Sequence, residues 1–171
     1  MKILITGYPG TGKSTIAKAL KKLGRNAYDP QSMHAYMHVE DQGTGRHIQQ
    51  PKPVPVGWYD TIGSYNWDSI KINELLDRPG DIFICSLAHN QTEFYNRFDV
   101  IFLLRLDHGL LKKRLSSRGQ NGIGSAPSEL HDILERKVHF ENSLIEHGAV
   151  SIDASRPTGA LVEQILRDAS N

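Results

Sequence analysis

Ile3-Leu4-Ile5-Thr6-Gly7-Tyr8-Pro9-Gly10-Thr11-Gly12-Lys13-Ser14 decides how the rest of this chain is read. The short apolar run Ile3 to Thr6 has no alternation, which suits a strand covered on both faces. After the glycines, Ile16, Ala17, Ala19, Leu20 and Leu23 fall on one side of a helical repeat, opposite Lys18, Lys21 and Lys22. Gly24 ends that repeat as a C′ residue does. Between strand and helix, Gly7 to Ser14 fits G-x-x-x-x-G-K-[ST] without a gap. Glycines let successive N–H groups turn inward toward phosphate, and the helix N-terminus adds positive partial charge. Lys13 reaches the β- and γ-phosphates in such a loop, and the Ser14 hydroxyl ligates Mg²⁺. A strand–loop–helix context confirms the pattern, so the stretch predicts a nucleoside-triphosphate site formed by Gly7, Pro9, Gly10, Thr11, Gly12, Lys13, Ser14 and Thr15, with ATP and Mg²⁺ as ligands.

Further strands are expected at Asn26–Asp29, Asp81–Cys85, Val100–Leu104 and Val150–Ile152. Helical spacing recurs from about residue 69, near 91–96, from Leu106 toward Gly119, from Ser128 to about Glu146, and after Pro157, a residue favoured at a first helical position. Apolar strands alternating with helices predict an α/β fold, a three-layer α/β/α sandwich on a five-stranded parallel sheet, in one domain over 1–171. Ligands in such folds sit beyond the carboxyl ends of the strands. Residues 31–68 hold no persistent period but are rich in aromatics, glycines and prolines. They read as a folded excursion with a short helix around 32–38.

At 171 residues the chain is one domain's worth. The 20 basic and 19 acidic residues leave a net charge of +1, which argues against binding nucleic acid through bulk electrostatics. Cys85 alone rules out an internal disulfide or a multi-cysteine zinc site. No apolar run reaches the ~18 residues of a membrane span, and a cytoplasmic location is expected. His34 and His38 are four apart, but Ala35 replaces the Glu of H-E-x-x-H, so zinc-protease chemistry is unsupported.

No N-K-x-D guanine motif is present, and the strand ending in Cys85-Ser86 lacks a terminal Asp or Glu. The chain is also too short for the helical lid domain of hexameric ATPases. Its layout resembles, over nearly its whole length, the nucleotide kinase and shikimate kinase group of P-loop kinases. Arg114-Leu115-Ser116-Ser117-Arg118 is similar to the R-x-x-x-R entry to the lid of nucleoside monophosphate kinases. The resemblance implies Arg114 against adenine, Arg118 on the transferring phosphate, and a lid at 119–127; two basic residues on a solvated helix face is the plainer reading. Asp153-Ala154-Ser155-Arg156-Pro157 is similar to the loop over adenine in adenylate kinases, which implicates Ser155 and Arg156, although Ser155 also reads as a helix N-cap. Asp29 matches the acidic residue that orients the acceptor hydroxyl in shikimate-type kinases; an Asp before Pro is equally a turn residue.

By the same resemblance, residues 31–68 form the acceptor-binding lobe, together with the loop after the third strand, Cys85-Ser86-Leu87-Ala88-His89-Asn90. Trp58, Tyr59, Tyr65 and Trp67 are candidates to stack on a flat substrate, Arg46 or Arg97 to hold a phosphate, and Asn90 to read polar edges. Aromatics in a small lobe are also its natural core. Adenylate kinase's substrate arginines do not align onto this stretch. The resemblance therefore implies an ATP-dependent phosphotransferase acting on a small molecule of nucleoside or nucleotide type, with Lys13, Asp29 and Arg118 catalytic. A P-loop ATPase or nucleotide switch working through a protein partner is the alternative.

Overall fold

The computed structural model describes residues 1–33, 35–52, 54–55, 57–117 and 127–170, without the side chains of 127–133 and 135. In chain order the elements are β1 (Lys2–Thr6), α1 (Lys13–Lys22), β2 (Ala27–Tyr28), a 3₁₀ turn (Pro30–Ser32), β3 (Met37–Asp41), α2 (Trp58–Thr61), β4 (Gly63–Trp67) and α3 (Ser69–Leu76). Then follow β5 (Ile82–Cys85), a 3₁₀ segment (His89–Arg97), β6 (Val100–Arg105), α4 (His108–Ser116), α5 (Pro127–Glu146), β7 (Val150–Asp153) and α6 (Thr158–Asp168). The main sheet runs β2-β5-β1-β6-β7, and all four pairings are parallel.

Alternation along each strand divides the core between the two faces of this sheet. Ile3, Ile5, Phe83, Phe102 and Leu104 pack on one face with Ile16 and Leu20 of α1, Leu111 and Leu115 of α4, and Val162 and Ile165 of α6. Leu4, Ile82, Ile84, Ile101 and Leu103 pack on the other with Ile72 and Leu75 of α3, Phe94, and Leu144 of α5. This is the expected three-layer architecture with five parallel strands.

Two local expectations are corrected. Among the described residues of 32–38, no helix extends beyond the end of the 3₁₀ turn at Ser32: the turn is followed by β3, which pairs antiparallel with β4 in a separate two-stranded sheet, Met37 opposite Trp67 and Asp41 opposite Gly63. Met37 and Trp67 are buried in the second core cluster, and that anchor favours strand over helix. Pro157 is the N-cap of α6 and lies outside its first turn. Among the described residues no helix is long and apolar enough to cross a membrane.

Candidate active site

The phosphate loop takes the backbone that its glycines permit. Gly7, Gly10 and Gly12 all have positive φ, 151°, 97° and 105°. A Cβ on Gly7 would lie 2.7 Å from the Leu104 carbonyl oxygen, and one on Gly10 would lie 2.7 Å from Leu111 Cδ1. At Gly12 a Cβ would meet nothing within 4 Å, so that position faces open space. Thr11 is buried and its hydroxyl donates to the Tyr8 carbonyl at 2.9 Å. Lys13 is 6% exposed, with Nζ donating to the carbonyls of Gly7 at 2.6 Å and Tyr8 at 3.2 Å. The lysine ammonium therefore lies inside the loop. Ser14 and Thr15 are exposed in the first turn of α1.

Successive residues of this loop line two different cavities. Gly10, Thr11, Gly12 and Thr15 line one of 380 Å³, closed by Arg114 and Ser117 at the end of α4 and by Ala154, Arg156 and Thr158 after β7. Arg114 spans it, donating to the Ala154 carbonyl at 3.1 Å and the Gly10 carbonyl at 3.5 Å. The loop, Arg114 and Arg156, which lie far apart in the sequence, thus meet at one site. Ser155 is not in the lining; its N–H donates to the Asp153 carboxylate at 3.0 Å. Arg156 donates to Gln164 Oε1 at 2.6 Å.

Tyr8 and Pro9 face the second cavity, of 430 Å³. Its walls come from Gln31, Tyr59 and Tyr65 of the 31–68 excursion, His89 and Gln91 of the 3₁₀ segment after β5, and Arg136 and Phe140 of α5. The Tyr59 and His89 rings stack at 5.6 Å and 26°. Gln91, 2% exposed, accepts from the Thr6 hydroxyl at 3.2 Å and donates to the Tyr95 hydroxyl at 2.9 Å, which ties this wall to the end of β1. Arg136 pairs with Asp60, so a cation and a carboxylate both border the cavity.

Several residues expected to hold an acceptor have other employment. Trp58 is 6% exposed, outside the lining, and its ring fills the space over Gly63, where a Cβ would lie 2.0 Å from it. Trp67 is fully buried, its indole N–H donating to Ser86 Oγ at 3.0 Å. Asn90 bonds to the backbone of Trp67, Arg97 is tied to Asn73 of α3 and to Asp77 just past its end, and Arg46 is exposed on the turn after β3. Tyr59 and Tyr65 do reach the cavity. His89 lies in the loop after the third strand that the sequence assigned to the acceptor lobe; Gln91, Arg136 and Phe140 were missed, and for Arg136 and Phe140 no local signal existed, because only the fold brings α5 to this wall. Arg118 and the expected lid at 119–127 lie outside the described residues, apart from the backbone of Pro127.

Asp29 follows β2 and is 7% exposed. Its backbone carbonyl accepts from Ser32 N–H at 2.9 Å and from the Ser32 hydroxyl at 2.8 Å, but its carboxylate makes no cap bond to the following turn. Oδ1 is buried and has no hydrogen-bond partner. A carboxylate oxygen in that condition is costly unless something else uses it. Burial pushes the Tyr65 phenol above its usual range, and the Asp29 charge adds to that shift. Burial pushes the Cys85 thiol far up, so this cysteine is no nucleophile.

A family model described as an AAA domain matches residues 3–138. Among solved structures, deoxyadenosine kinase from M. mycoides with bound dATP is similar at 17% identity and TM-score 0.58, over 100% of both chains. Shikimate kinase from Acinetobacter baumannii in complex with shikimate is similar at 17% identity and TM-score 0.61, covering 97% of this chain and 90% of that one. A gluconokinase from Sinorhizobium meliloti is similar at 18% identity and TM-score 0.55, covering 95% and 87%. The fold is that of the P-loop small-molecule kinases.

Proposed function

The chain belongs to the AAA domain family, and from that membership and the divided site we propose that it is an ATP-dependent phosphotransferase acting on a small molecule of nucleoside or nucleotide type. One observation carries the reading: the same loop presents Gly10 to Gly12 to one cavity and Tyr8-Pro9 to another. In-line transfer needs the attacking and leaving oxygens on opposite sides of the γ-phosphorus, and two separate cavities that meet at one phosphate loop suit a donor and an acceptor so arranged.

ATP would occupy the cavity of Gly10, Thr11 and Gly12, with its base toward Arg114 and the loop after β7. The backbone N–H groups of Gly7 to Ser14 and the Lys13 ammonium would hold the β- and γ-phosphates. The exposed Ser14 hydroxyl fits a Mg²⁺ ligand, and the ion when bound would neutralise charge on those phosphates. An acceptor hydroxyl would attack the γ-phosphorus as the bond to the β–γ bridging oxygen breaks. Its proton would pass to the carboxylate of Asp29, which has an oxygen with no other partner. Arg118 at the entry to the 119–127 lid would stabilise the transferring group. The Tyr59–His89 stack, Tyr65 and Phe140 give the acceptor cavity flat apolar walls, which favours a planar ring over an open-chain polyol.

ADP release from ATP and Mg²⁺ tests this directly, alone and with pooled nucleosides, nucleoside monophosphates and small hydroxylated metabolites. Stimulation by a nucleoside or nucleotide pool is expected. Stimulation by the metabolite pool only would move the acceptor class, and a rate unchanged by every pool would overturn the kinase reading in favour of a nucleotide switch.

A further inference from the structure

Away from both cavities, the hairpin gathers a set of side chains with a different chemistry. His38 and Glu40 are two apart on β3 and so share one face, opposite the face of Met37. The chain then turns at Asp41, whose Oδ1 accepts from the N–H groups of Gly43 and Thr44 and from the Thr44 hydroxyl. This turn brings His47 back antiparallel, directly across from Glu40. Glu40 Oε1 lies 2.6 Å from His38 Nε2 and 3.9 Å from His47 Nε2, and the two imidazoles stack at 4.1 Å and 25°.

We propose that His38, Glu40 and His47 form a binding site for one divalent transition-metal cation of the zinc class. Their ligand atoms all lie within 4.8 Å of one another. Two imidazoles and a carboxylate are a common zinc donor set, with the remaining position left to water. Metal–ligand bonds of about 2.0–2.1 Å put tetrahedral donors about 3.4 Å apart. To reach this, His38 and Glu40, now 2.6 Å apart, open slightly and His47, 3.9 Å from Glu40 with a side chain 69% exposed, closes in. Asn66, opposite His38 on β4, donates to Glu40 Oε2 at 2.7 Å and leaves Oε1 aimed at both rings. That is the outer contact which orients a ligating carboxylate. Asn66 is itself nine-tenths buried, with an Oδ1 that has no partner. None of the three ligands lines either cavity, so the site is independent of the phosphotransfer reading.

The experiment is a titration of the tag-free, chelator-stripped chain with Zn²⁺ against a chromophoric competitor, with Co²⁺ absorption as a second readout. One saturable site per chain is expected, with a zinc-dependent rise in melting temperature. His47→Ala removes an exposed ligand at little risk to the fold, and should weaken that site by ~10-fold or more and abolish the thermal shift. His38→Ala/His47→Ala should abolish it. No saturable binding, or equal affinity in His47→Ala, would overturn the proposal.

Discussion

Asn90 grips the backbone of Trp67 from both sides, its Oδ1 accepting from the Trp67 N–H at 2.9 Å and its Nδ2 donating to the Trp67 carbonyl at 3.1 Å. One residue earlier, His89 Nδ1 accepts from the Tyr65 N–H at 2.9 Å. Side chains of the 3₁₀ segment thus take the place of a neighbouring strand along β4, and hold the hairpin against the sheet that carries the phosphate loop. Asn90→Ala would leave two backbone groups unpaired and should cost about 2 kcal/mol, at the usual 1–3 kcal/mol for an unsatisfied buried group. Urea unfolding checks it; a fall in kcat with no loss of stability would instead put Asn90 on the acceptor.

Lys13 and Arg114 should separate kinetically. Lys13 sits inside the phosphate loop, where the proposed transfer would develop charge, so Lys13→Ala should lower kcat by ~10²–10³ or more. Arg114 bridges the Gly10 and Ala154 carbonyls at the edge of the 380 Å³ cavity. Arg114→Ala should raise the KM for ATP while changing kcat less, the pattern of a lost binding contact. Steady-state kinetics with varied ATP distinguishes the two.

For Asp29, activity and stability should move apart. The buried Oδ1 has no partner to lose, so Asp29→Asn should leave the unfolding midpoint unchanged or raise it. Removing a proton acceptor should nonetheless lower kcat by ~10²–10⁴. A variant that loses stability and keeps its turnover would make Asp29 a structural residue.

Trp58 and Tyr59 are adjacent in sequence and should behave oppositely. Trp58 packs over Gly63 and is buried, so Trp58→Ala should cost about 3–5 kcal/mol, as large aromatic truncations in cores do. Tyr59 lines the 430 Å³ cavity proposed for the acceptor, and Tyr59→Ala should act chiefly on the KM for the acceptor. Thermal melts and acceptor kinetics on both variants provide the check.

What could be read in the chain followed the range of the interactions. The phosphate loop was legible because Gly7 to Ser14 are contiguous and each glycine answers a local backbone demand. The parallel strands were legible because burial on both faces leaves short unbroken apolar runs such as Ile82–Cys85. The hairpin was not, since Met37 pairs with Trp67 thirty residues away and Glu40 and Asn66 interrupt its pattern with polar groups. The side chains of the cavity proposed for the acceptor were the hardest. Whether Trp58, Trp67 or Asn90 faces a ligand depends on what packs beside it, and Arg136 reaches the cavity only through the placement of α5.

Tyr65 offers a test of the site's electrostatics at high pH. Burial is the larger cause of its raised phenol pKa, and the charge of Asp29 the smaller. Above the usual value of 10.0 the unfolded chain has released this proton while the native chain still holds it. The native state therefore binds more protons in that window. The contribution of Tyr65 to stability is complete below pH 10 and is lost as pH rises toward the folded-state value. Burial raises the Tyr95 phenol as well, so spectrophotometric titration of the native protein should show two late-ionising tyrosines, of which Tyr65→Phe removes one. In Asp29→Asn the same ionisation should move down only part of the way, because burial of the ring remains. A full return to the ordinary tyrosine range would mean that charge, and not burial, controls the phenol. No movement at all would separate Asp29 from Tyr65 and remove the electrostatic link between the proposed base and the acceptor wall.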